Sequence, residues 1–285
     1  MPDPASLLAA KPPRPTPVQH SSTLHFPVLF LSDLHLGSRA CRDQALLGFL
    51  QGHTADLIYL VGDIVDTWTA ASGQWTATQH AIVQLLLDRA SNGTRLVYTP
   101  GNHDAVFRQY CGQRVAGIEI VSYIIHHAAD GQRYLVLHGD VCDVFAARFP
   151  LLARVGAWAE SRFRGLGARV NALRRRFGRP DWLGVDRVLK QVNDLIRSVD
   201  AFDKRLADLA RAHGVDGIIC GHFHQPALHS DHGVAYANCG DWVENSTALA
   251  ETASGRLLLL DWAGPAQDNK RIAPRMRIGA TAKGI

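Results

Sequence analysis

The sequence is organised around one stretch, residues 216–224, which reads Asp216-Gly217-Ile218-Ile219-Cys220-Gly221-His222-Phe223-His224. Its first part is a short apolar, β-branched run between glycines, which is typical of a buried strand. The strand leads directly into two histidines spaced two residues apart, and side chains at that spacing on an extended backbone point to the same side. Because imidazole is the commonest protein ligand for transition metals, the stretch predicts part of a metal site at a strand end.

Four further polar motifs follow strand-like apolar runs in the same way. They are Asp33-Leu34-His35 after residues 28–32, Gly62-Asp63-Ile64-Val65-Asp66 after 57–61, Gly101-Asn102-His103-Asp104 after 96–100, and His138-Gly139-Asp140 after 134–137. In open α/β sheets the ligand site lies at the carboxyl ends of the strands. We therefore expect these strand ends to bring together seven side chains, Asp33, His35, Asp63, Asn102, His138, His222 and His224.

The composition is that of an ordinary globular protein. The chain has 285 residues, 47% hydrophobic and 20% charged, which is enough for one large domain with a sizeable core. Its five cysteines are scattered and form no Cys-x-x-Cys pair, so we expect them reduced in a cytoplasmic setting. No apolar run is long enough to span a membrane, and the N-terminus lacks the apolar region of a signal peptide.

The pattern along the chain predicts an α/β domain over residues 28–264. Helical periodicity at Arg42–Gly52 and Trp75–Arg89 alternates with the first three strands, which indicates parallel strands with helical crossovers. Asp130-Gly131 predicts a hairpin between strands at 118–125 and 132–138, so the sheet becomes mixed. Further strands are predicted at 234–238 and 256–262. Residues 1–27 and 265–285 are predicted to be a flexible N-terminal tail and a loose C-terminal tail.

A helical insertion is predicted at residues 145–213, because a simple crossover needs far fewer residues. Apolar residues spaced by three or four indicate one helix over 163–177 and another over 186–213. Eleven basic and three acidic residues between Arg148 and Lys190 give this segment +8, whereas the whole chain carries +4. Either this is a solvated helix face, or it contacts an anionic membrane surface or an amphiphilic substrate.

The seven expected ligands combine carboxylates, an amide and imidazoles, which fit Mn²⁺, Fe²⁺ or Zn²⁺ better than Ca²⁺. They are too many for one ion, and two ions need a bridging carboxylate, for which Asp63 is the best placed. Paired divalent cations activate water for in-line attack and neutralise charge on a phosphoryl oxygen. The predicted reaction is therefore hydrolysis of a phosphoester or phosphoanhydride.

The five motifs, in this order over residues 33–224, resemble those of the calcineurin-type metallophosphoesterases. The resemblance implies a four-layer α/β/β/α sandwich with two metal ions, Mn²⁺ being favoured. It implies that His103 acts beside the scissile phosphate with Asp104 orienting it, and that Asn102 and His222 also contact the substrate. It assigns the ligands of the first metal as Asp33, His35, Asp63 and His224, and those of the second as Asp63, Asn102, His138 and His222.

Within that family the chain is most similar to the UDP-2,3-diacylglucosamine diphosphatase group of lipid A biosynthesis. The residues that carry this similarity are Asp33-Leu34-His35-Leu36-Gly37, residues 62–68, the helical insertion and Cys239-Gly240-Asp241-Trp242. One departure is His103, because the best-known members carry arginine there. The resemblance implies a pyrophosphatase that cleaves a nucleotide-linked lipid at the inner face of the cytoplasmic membrane.

Two other functions compete with this interpretation. A phosphodiesterase or phosphomonoesterase acting on a soluble substrate is the main alternative. A nucleic-acid-binding protein is disfavoured, because no helix-turn-helix, RNP or finger motif accompanies the basic segment. Asp66 and Asp140 are expected to cap loops or to support the ligand histidines, and the histidines outside the motifs are expected at the surface: His53, His80, His126, His127, His213, His229 and His232.

Overall fold

The computed structural model describes residues 23–68, 75–142 and 202–262, together with Arg176. Most of the predicted insertion, the predicted C-terminal tail and residues 1–22 of the predicted N-terminal tail lie outside the described residues. The end of the insertion is described as part of a helix. All five sequence motifs fall within the described ranges.

The larger sheet has seven strands in the order β12-β11-β1-β2-β3-β5-β4. Strands β1, β2, β3 and β5 run parallel, whereas β4, β11 and β12 are antiparallel to their neighbours. The strands are β1 (Leu24–Leu31), β2 (His53–Val61), β3 (Arg95–Thr99), β4 (Arg114–Val115), β5 (Ile118–Ile120), β11 (Thr247–Glu251) and β12 (Leu257–Asp261).

The smaller sheet has five strands in the order β6-β7-β8-β10-β9. Its central strands β7, β8 and β10 are parallel, and the edge strands β6 and β9 are antiparallel to them. The strands are β6 (Ile124–His127), β7 (Arg133–Val136), β8 (Gly217–Cys220), β9 (Ala227–His229) and β10 (Ala235–Asn238). β6 and β7 form the hairpin that Asp130-Gly131 predicts.

Three α-helices are described: α1 (Asp43–Gly52), α2 (Ala77–Ser91) and α3 (Phe202–Ala212). α2 begins at a capping box, in which the Thr76 hydroxyl accepts from the Gln79 backbone N–H and the Gln79 side chain accepts from that of Thr76. One short 3₁₀ helix, Ala105–Tyr110, follows the motif that ends at Asp104, and another, Asp140–Cys142, begins at the last residue of the His138-Gly139-Asp140 motif.

Three apolar clusters show that the layers are α/β/β/α, as predicted. One cluster packs α1 and α2 on the outer face of the larger sheet, with Phe49, Ile82 and Ile58 among its buried members. A second fills the space between the two sheets, and a third packs α3 on the outer face of the smaller sheet. Alternate residues of β1 divide between the first two clusters, Leu29 facing the helices and Phe30 the other sheet.

Several predicted boundaries were wrong. Residues 118–125, predicted as one strand, form β5 and β6, which belong to different sheets. β1 begins at Leu24, inside the segment predicted as a tail, because Leu24 pairs with His53 at the start of β2. β9 and β11 were missed, and β11 is a fully buried run that does not alternate between apolar and polar residues.

Candidate metal centre

The polar motifs meet where the carboxyl ends of strands from both sheets face each other. The loops after β1, β2 and β3 come from the larger sheet, and those after β7 and β8 from the smaller one. The loops after β1 and β2 are tied side by side, because the N–H of Asp33 donates to Gly62 O at 3.0 Å and that of His35 to Asp63 O at 2.9 Å. The candidate site is therefore shared between the two sheets.

The backbone at this site is unusual, because five expected ligands have left-handed φ angles. The angles are 53° at Asp33, 48° at His35, 51° at Asp63, 77° at His222 and 53° at His224. Such a conformation costs of order 1–3 kcal/mol for a residue with a side chain, and it persists only where the surroundings impose it. Each of these positions comes just after the end of a strand, where the side chain turns into the candidate site. The strained backbone therefore coincides with the expected metal ligands.

Two glycines allow the close approach of the loops. A Cβ on Gly62 would lie 2.2 Å from Nδ1 of His138, and one on Gly221 would lie 2.3 Å from Oδ2 of Asp33. Each glycine therefore lets the loop after a strand of one sheet touch a polar side chain that follows a strand of the other sheet.

A first group of possible ligands consists of Asp33, His35 and His224, each of which offers one atom within 4.8 Å of the others. Nε2 of His224 lies 3.2 Å from both Oδ1 of Asp33 and Nε2 of His35. The other carboxylate oxygen of Asp33 accepts from the Ser32 hydroxyl at 2.5 Å and from the backbone N–H of His222 at 3.0 Å. Those bonds orient the carboxylate so that Oδ1 faces the histidines.

A second group consists of Asp63, His138 and His222. Oδ2 of Asp63 lies 3.3 Å from Nε2 of His138, and Oδ1 accepts from the backbone N–H of His103 at 2.8 Å. Nδ1 of His138 lies 3.1 Å from the carbonyl of Val61, where an N–H at Nδ1 can donate and leave Nε2 as the free base that a metal requires.

Three buried polar atoms of the expected ligands lack a hydrogen-bond partner among the described residues: Asp33 Oδ1, Asn102 Oδ1 and His138 Nε2. Buried polar atoms are rarely left without partners. Atoms that share an ion at about 2.1 Å lie about 3.0–3.4 Å apart, and the contacts of 3.2 Å and 3.3 Å given above have that spacing. The residues present therefore fit divalent metal ions.

The carboxylates and imidazoles stabilise each other's charged forms. Burial alone raises the pKa of Asp33 and Asp63, but His224 beside Asp33 and His138 beside Asp63 outweigh it and hold both pKa values below the usual range. Burial alone lowers the pKa of His35 and His138, and the facing carboxylates reverse this and raise both values. A divalent cation that displaced the imidazole protons would be attracted by the same carboxylates.

His103 lies at the edge of this cluster, between Asp66 and Trp68. Its Nδ1 is 3.2 Å from Oδ1 of Asp66, and its ring stacks on the Trp68 indole with centroids 3.9 Å apart. Its other neighbour is His35, which it meets edge to face at 4.6 Å. His35, Asp66 and His103 form a third group that could hold an ion. In that group Nδ1 of His103 already contacts the Asp66 carboxylate.

Asp104 has a different place from the predicted one. Its buried carboxylate accepts from the backbone N–H groups of Ile64 at 2.7 Å and Gly101 at 2.6 Å, and from the hydroxyl of Tyr98. Asp104 thus ties the loops after β2 and β3 together, because it faces backbone donors on both. Asp66 is the carboxylate that contacts the His103 ring.

Comparison with known proteins identifies the fold and the chemistry. The family model of the calcineurin-like phosphoesterases matches residues 26–226. The chain belongs to this family. A UDP-2,3-diacylglucosamine hydrolase of Xanthomonas campestris pv. campestris (strain ATCC 33913) is 30% identical over 258 residues, which cover 81% of this chain and 97% of that protein. One from Pseudomonas paraeruginosa (strain DSM 24068) is 29% identical over 236 residues, covering 80% and 96%.

Among solved structures, a novel archaeal phosphodiesterase matches with a TM-score of 0.41 and 11% identity over 82% of this chain and 98% of that one. Family membership makes the chain a metal-dependent hydrolase of phosphoric esters or anhydrides. Its cofactors are divalent metal ions. No helix in the described ranges is long and apolar enough to cross a membrane.

The phosphoesterase supports the loop after β8 with two asparagines that the sequence analysis did not single out. The side-chain NH₂ of Asn238 donates to Gly221 O at 2.8 Å, and that of Asn245 donates to His224 O at 2.7 Å. Asp241 caps the following turn through the N–H of Val243 at 2.7 Å. The motif Cys239-Gly240-Asp241-Trp242 was the available clue, and it marks a support of the histidine loop.

Trp242 packs against the site, and two histidines differ from their predicted location. Trp242 is fully buried, and its backbone N–H donates to Asp33 O at 3.0 Å, so it packs beneath the first ligand group. His53 and His126 were predicted at the surface, which was wrong, because they are only 6% and 5% exposed. His53 packs against aromatic rings of α1 and β1, whereas His126 lies between the sheets.

Proposed function

We propose that this phosphoesterase cleaves the pyrophosphate bond of a nucleotide-linked lipid of the UDP-2,3-diacylglucosamine type. The observation that carries the proposal is the likeness to the Xanthomonas hydrolase, which extends over 97% of that protein at 30% identity. The family model, which matches residues 26–226, spans all five motifs. The name of that relative supplies the substrate class.

The proposed ligands divide into two sets that share one carboxylate. Asp33, His35, Asp63 and His224 would hold one ion, and Asp63, Asn102, His138 and His222 would hold the other. The effect of Asp63 on the pKa values of both His35 and His138 supports its position between the sets. Mn²⁺ is the proposed metal, because mixed imidazole and carboxylate ligands suit it. When bound, such cations activate water and stabilise charge on the phosphoryl group.

Three polar side chains would act on the substrate. Asn102 and His222, although proposed as metal ligands, would also contact phosphoryl oxygens from their places at strand ends. His103 would donate a proton to the leaving group or stabilise its charge, with the ring oriented by Asp66 at 3.2 Å. Its side chain is 13% exposed, so substrate can reach it.

A substrate panel tests the proposal. The purified protein with Mn²⁺ is given UDP-2,3-diacylglucosamine, a nucleotide diester and p-nitrophenyl phosphate, and the products are separated chromatographically. Release of UMP from the first substrate at the highest kcat/KM is expected. His224→Ala should abolish it, whereas His80→Ala, a change at an exposed histidine of α2, should leave it intact. Preference for either small substrate would contradict the lipid assignment.

A soluble phosphodiester or phosphomonoester is the second candidate, and His103 is the observation that favours it. The best-known enzymes of the diacylglucosamine group carry arginine at this position. An imidazole stacked on Trp68 offers one donor, whereas a guanidinium offers several to a pyrophosphate. The variant His103→Arg discriminates between the two, because it should raise the preference for the pyrophosphate if the lipid is the natural substrate.

The proposal includes peripheral binding at the cytoplasmic face of the membrane. It rests on the +8 carried by residues 148–190, which lie mostly outside the described residues. A membrane surface attracts each basic residue by about 1 kcal/mol near anionic lipid. Replacing Arg174, Arg175 and Arg176 by Glu should therefore reduce flotation with anionic liposomes and slow turnover of the lipid, but spare a small soluble ester.

The matched control for that variant reverses three other charges, Arg95, Arg133 and Arg256, which lie at the amino ends of β3, β7 and β12. It should retain liposome binding. Added salt should mimic the loss in the first variant, because the attraction is screened within about 8–10 Å. Equal loss of activity on small and amphiphilic substrates, with liposome binding intact, would show that the basic segment has no membrane role.

A further inference from the structure

A chain of three polar side chains crosses the otherwise apolar space between the two sheets. Nδ1 of His126 lies 3.2 Å from the Tyr59 hydroxyl, and its Nε2 lies 2.5 Å from Oε2 of Glu251. The three residues are 2%, 5% and 2% exposed for Tyr59, His126 and Glu251. Tyr59 and Glu251 belong to β2 and β11 of the larger sheet, and His126 to β6 of the smaller one.

The hydrogen bonding of this chain is complete with a single tautomer. The Tyr59 hydroxyl donates to Nδ1 of His126, and Nε2–H donates to Glu251, whose other oxygen accepts from the N–H of Ala129 at 2.8 Å. Burial raises the pKa of Tyr59 to about 12, so the hydroxyl keeps its proton. Phe30 encloses the chain, stacking on Tyr59 at 4.9 Å and meeting His126 edge to face at 5.4 Å.

Each member lies on or beside a strand that ends in an expected metal ligand. Tyr59 lies on β2, four residues before Asp63, which follows the end of that strand. His126 pairs with Tyr134, four residues before His138, and Glu251 pairs with Val28, five residues before Asp33. The hydrogen-bonded chain thus joins the two sheets part-way along their strands, and the candidate site lies farther on, at the carboxyl ends of the strands.

Both ligand groups depend on how the two sheets are aligned. The first combines Asp33 and His35 of the larger sheet with His224 of the smaller one, and the second combines Asp63 with His138 and His222. Burial of apolar surface is non-directional, whereas each bond of a buried hydrogen-bonded chain requires a particular distance and angle. A shift between the sheets would separate the ligands within each group.

We propose that Tyr59, His126 and Glu251 are positioning residues for the metal centre, because they fix the alignment of the two sheets. The proposal rests on the metal ligands proposed above. These three buried residues lie outside the site, and removing them should change the affinity for metal. A contact that only stabilised the fold would change the stability but not the affinity. Removing this chain of hydrogen bonds should therefore weaken metal binding while the protein remains folded.

The test compares Mn²⁺ affinity with stability in four proteins. His126→Leu/Glu251→Leu removes both side-chain hydrogen bonds of the chain and puts apolar side chains at two of its three positions, a replacement that buried ion pairs often tolerate. Leu249→Ala is the matched control, since it opens a cavity on β11 in the same inter-sheet core and leaves the chain intact. Glu251→Gln is the conservative variant, because an amide donor continues the chain with the other tautomer of His126.

Mn²⁺ binding is measured by calorimetric titration, and thermal unfolding is recorded without metal. We expect the double variant to bind Mn²⁺ about 10-fold or more weakly, a loss of about 1.4 kcal/mol in binding free energy. Wild-type affinity is expected for Glu251→Gln, and for Leu249→Ala despite a lower Tm. If affinity follows Tm through all variants, or if the double variant binds as wild type does, the positioning role is excluded.

Should the double variant not fold, His126→Gln replaces it, because one amide cannot reach both Tyr59 and Glu251 and the chain is broken with the carboxylate still hydrogen-bonded. The same loss of Mn²⁺ affinity is expected, and wild-type affinity in that variant would overturn the proposal. A wild-type protein that binds no Mn²⁺ would instead overturn the proposed function, and the positioning role with it.

Discussion

At the scale of single residues, His103 is the group whose role can be separated most clearly from metal binding. Its backbone N–H donates to Asp63 at 2.8 Å, a bond that any residue at this position can make. The ring itself contacts Asp66 and Trp68. His103→Ala should therefore keep both metal ions and slow hydrolysis about 10²–10⁴-fold, the effect of losing a general acid. Metal analysis and kcat on a lipid substrate measure the two effects.

Two outcomes would contradict that assignment. An unchanged kcat would remove His103 from the mechanism, and loss of one ion would make its ring a ligand, as the geometry with His35 and Asp66 allows. Asp66→Asn is the companion variant, because an amide can still contact Nδ1 but no longer supplies a negative charge. It should slow turnover less than His103→Ala does.

Trp68 should matter through its stacking on His103. Aromatic pairs contribute about 0.5–1.5 kcal/mol beyond their buried area, which corresponds to about 2- to 12-fold in rate if the whole effect falls on the orientation of His103. We expect Trp68→Ala to lower kcat by that factor with KM little changed. Trp68→Phe keeps an aromatic face and should retain most of the activity. A rise in KM with unchanged kcat would instead make Trp68 a substrate contact.

The identity of the site residues could be predicted from the sequence, but their partners could not. Asp33, Asp63 and His138 could be recognised as candidate metal ligands because each comes at the end of a strand-like apolar run. The roles of Asp66 and Asp104 depend on side-chain direction across loops, which spacing does not encode. Asp104 adjoins His103 in sequence, yet its carboxylate faces backbone donors of the neighbouring loop. Asp66 reaches the ring from 37 positions away.

At the scale of elements, the strands were predictable and their distribution between sheets was not. Apolar runs mark β1, β2, β3, β7 and β8, because strands buried on both faces need hydrophobic residues throughout. The same runs carry no information on which strand pairs with which. Residues 118–125 show the difficulty, since an apolar run continues across a change of sheet. The resemblance to known sequences supplied the four layers that periodicity alone could not.

Gly221 should be among the least replaceable residues of the loop after β8. A Cβ there would lie 1.8 Å from Oγ of Ser32 and 2.3 Å from Oδ2 of Asp33, so an alanine must push the carboxylate out of place. Overpacking of this kind costs about 1–3 kcal/mol. We expect Gly221→Ala to lower Tm and to weaken Mn²⁺ binding about 10- to 100-fold. Calorimetric titration and thermal unfolding check the two effects.

Gly48 provides the control for that substitution. It lies in α1, where an added Cβ would meet Trp262 at 3.6 Å, an ordinary contact. Gly48→Ala should stabilise the protein by about 0.5–1 kcal/mol, because alanine is the better helix former, and leave Mn²⁺ affinity unchanged. If Gly221→Ala also kept its affinity, the loop would be more adaptable than its contacts indicate.

At the scale of the whole molecule, the metal ions should hold the two sheets together. Each proposed ligand set contains residues from both sheets, so bound metal adds to the stability of the folded state and not to that of the unfolded chain. Mn²⁺ at 100 times its Kd contributes about 2.7 kcal/mol. In proteins of this size each 1 kcal/mol shifts Tm by about 2–4 °C.

Removal of metal should therefore lower the Tm of the wild-type protein by roughly 5–10 °C, and Mn²⁺ in excess of the chelator should restore it. Asp63→Ala is the decisive comparison, because the proposed bridge belongs to both sets. Its metal content should fall at both sites, its hydrolysis should be abolished, and its Tm should respond little to chelator. His80→Ala, on the exposed face of α2, should respond as the wild type does. Two ions per chain in Asp63→Ala would show that another residue bridges the metals, and a full chelator response would show that the ions join the sheets without it.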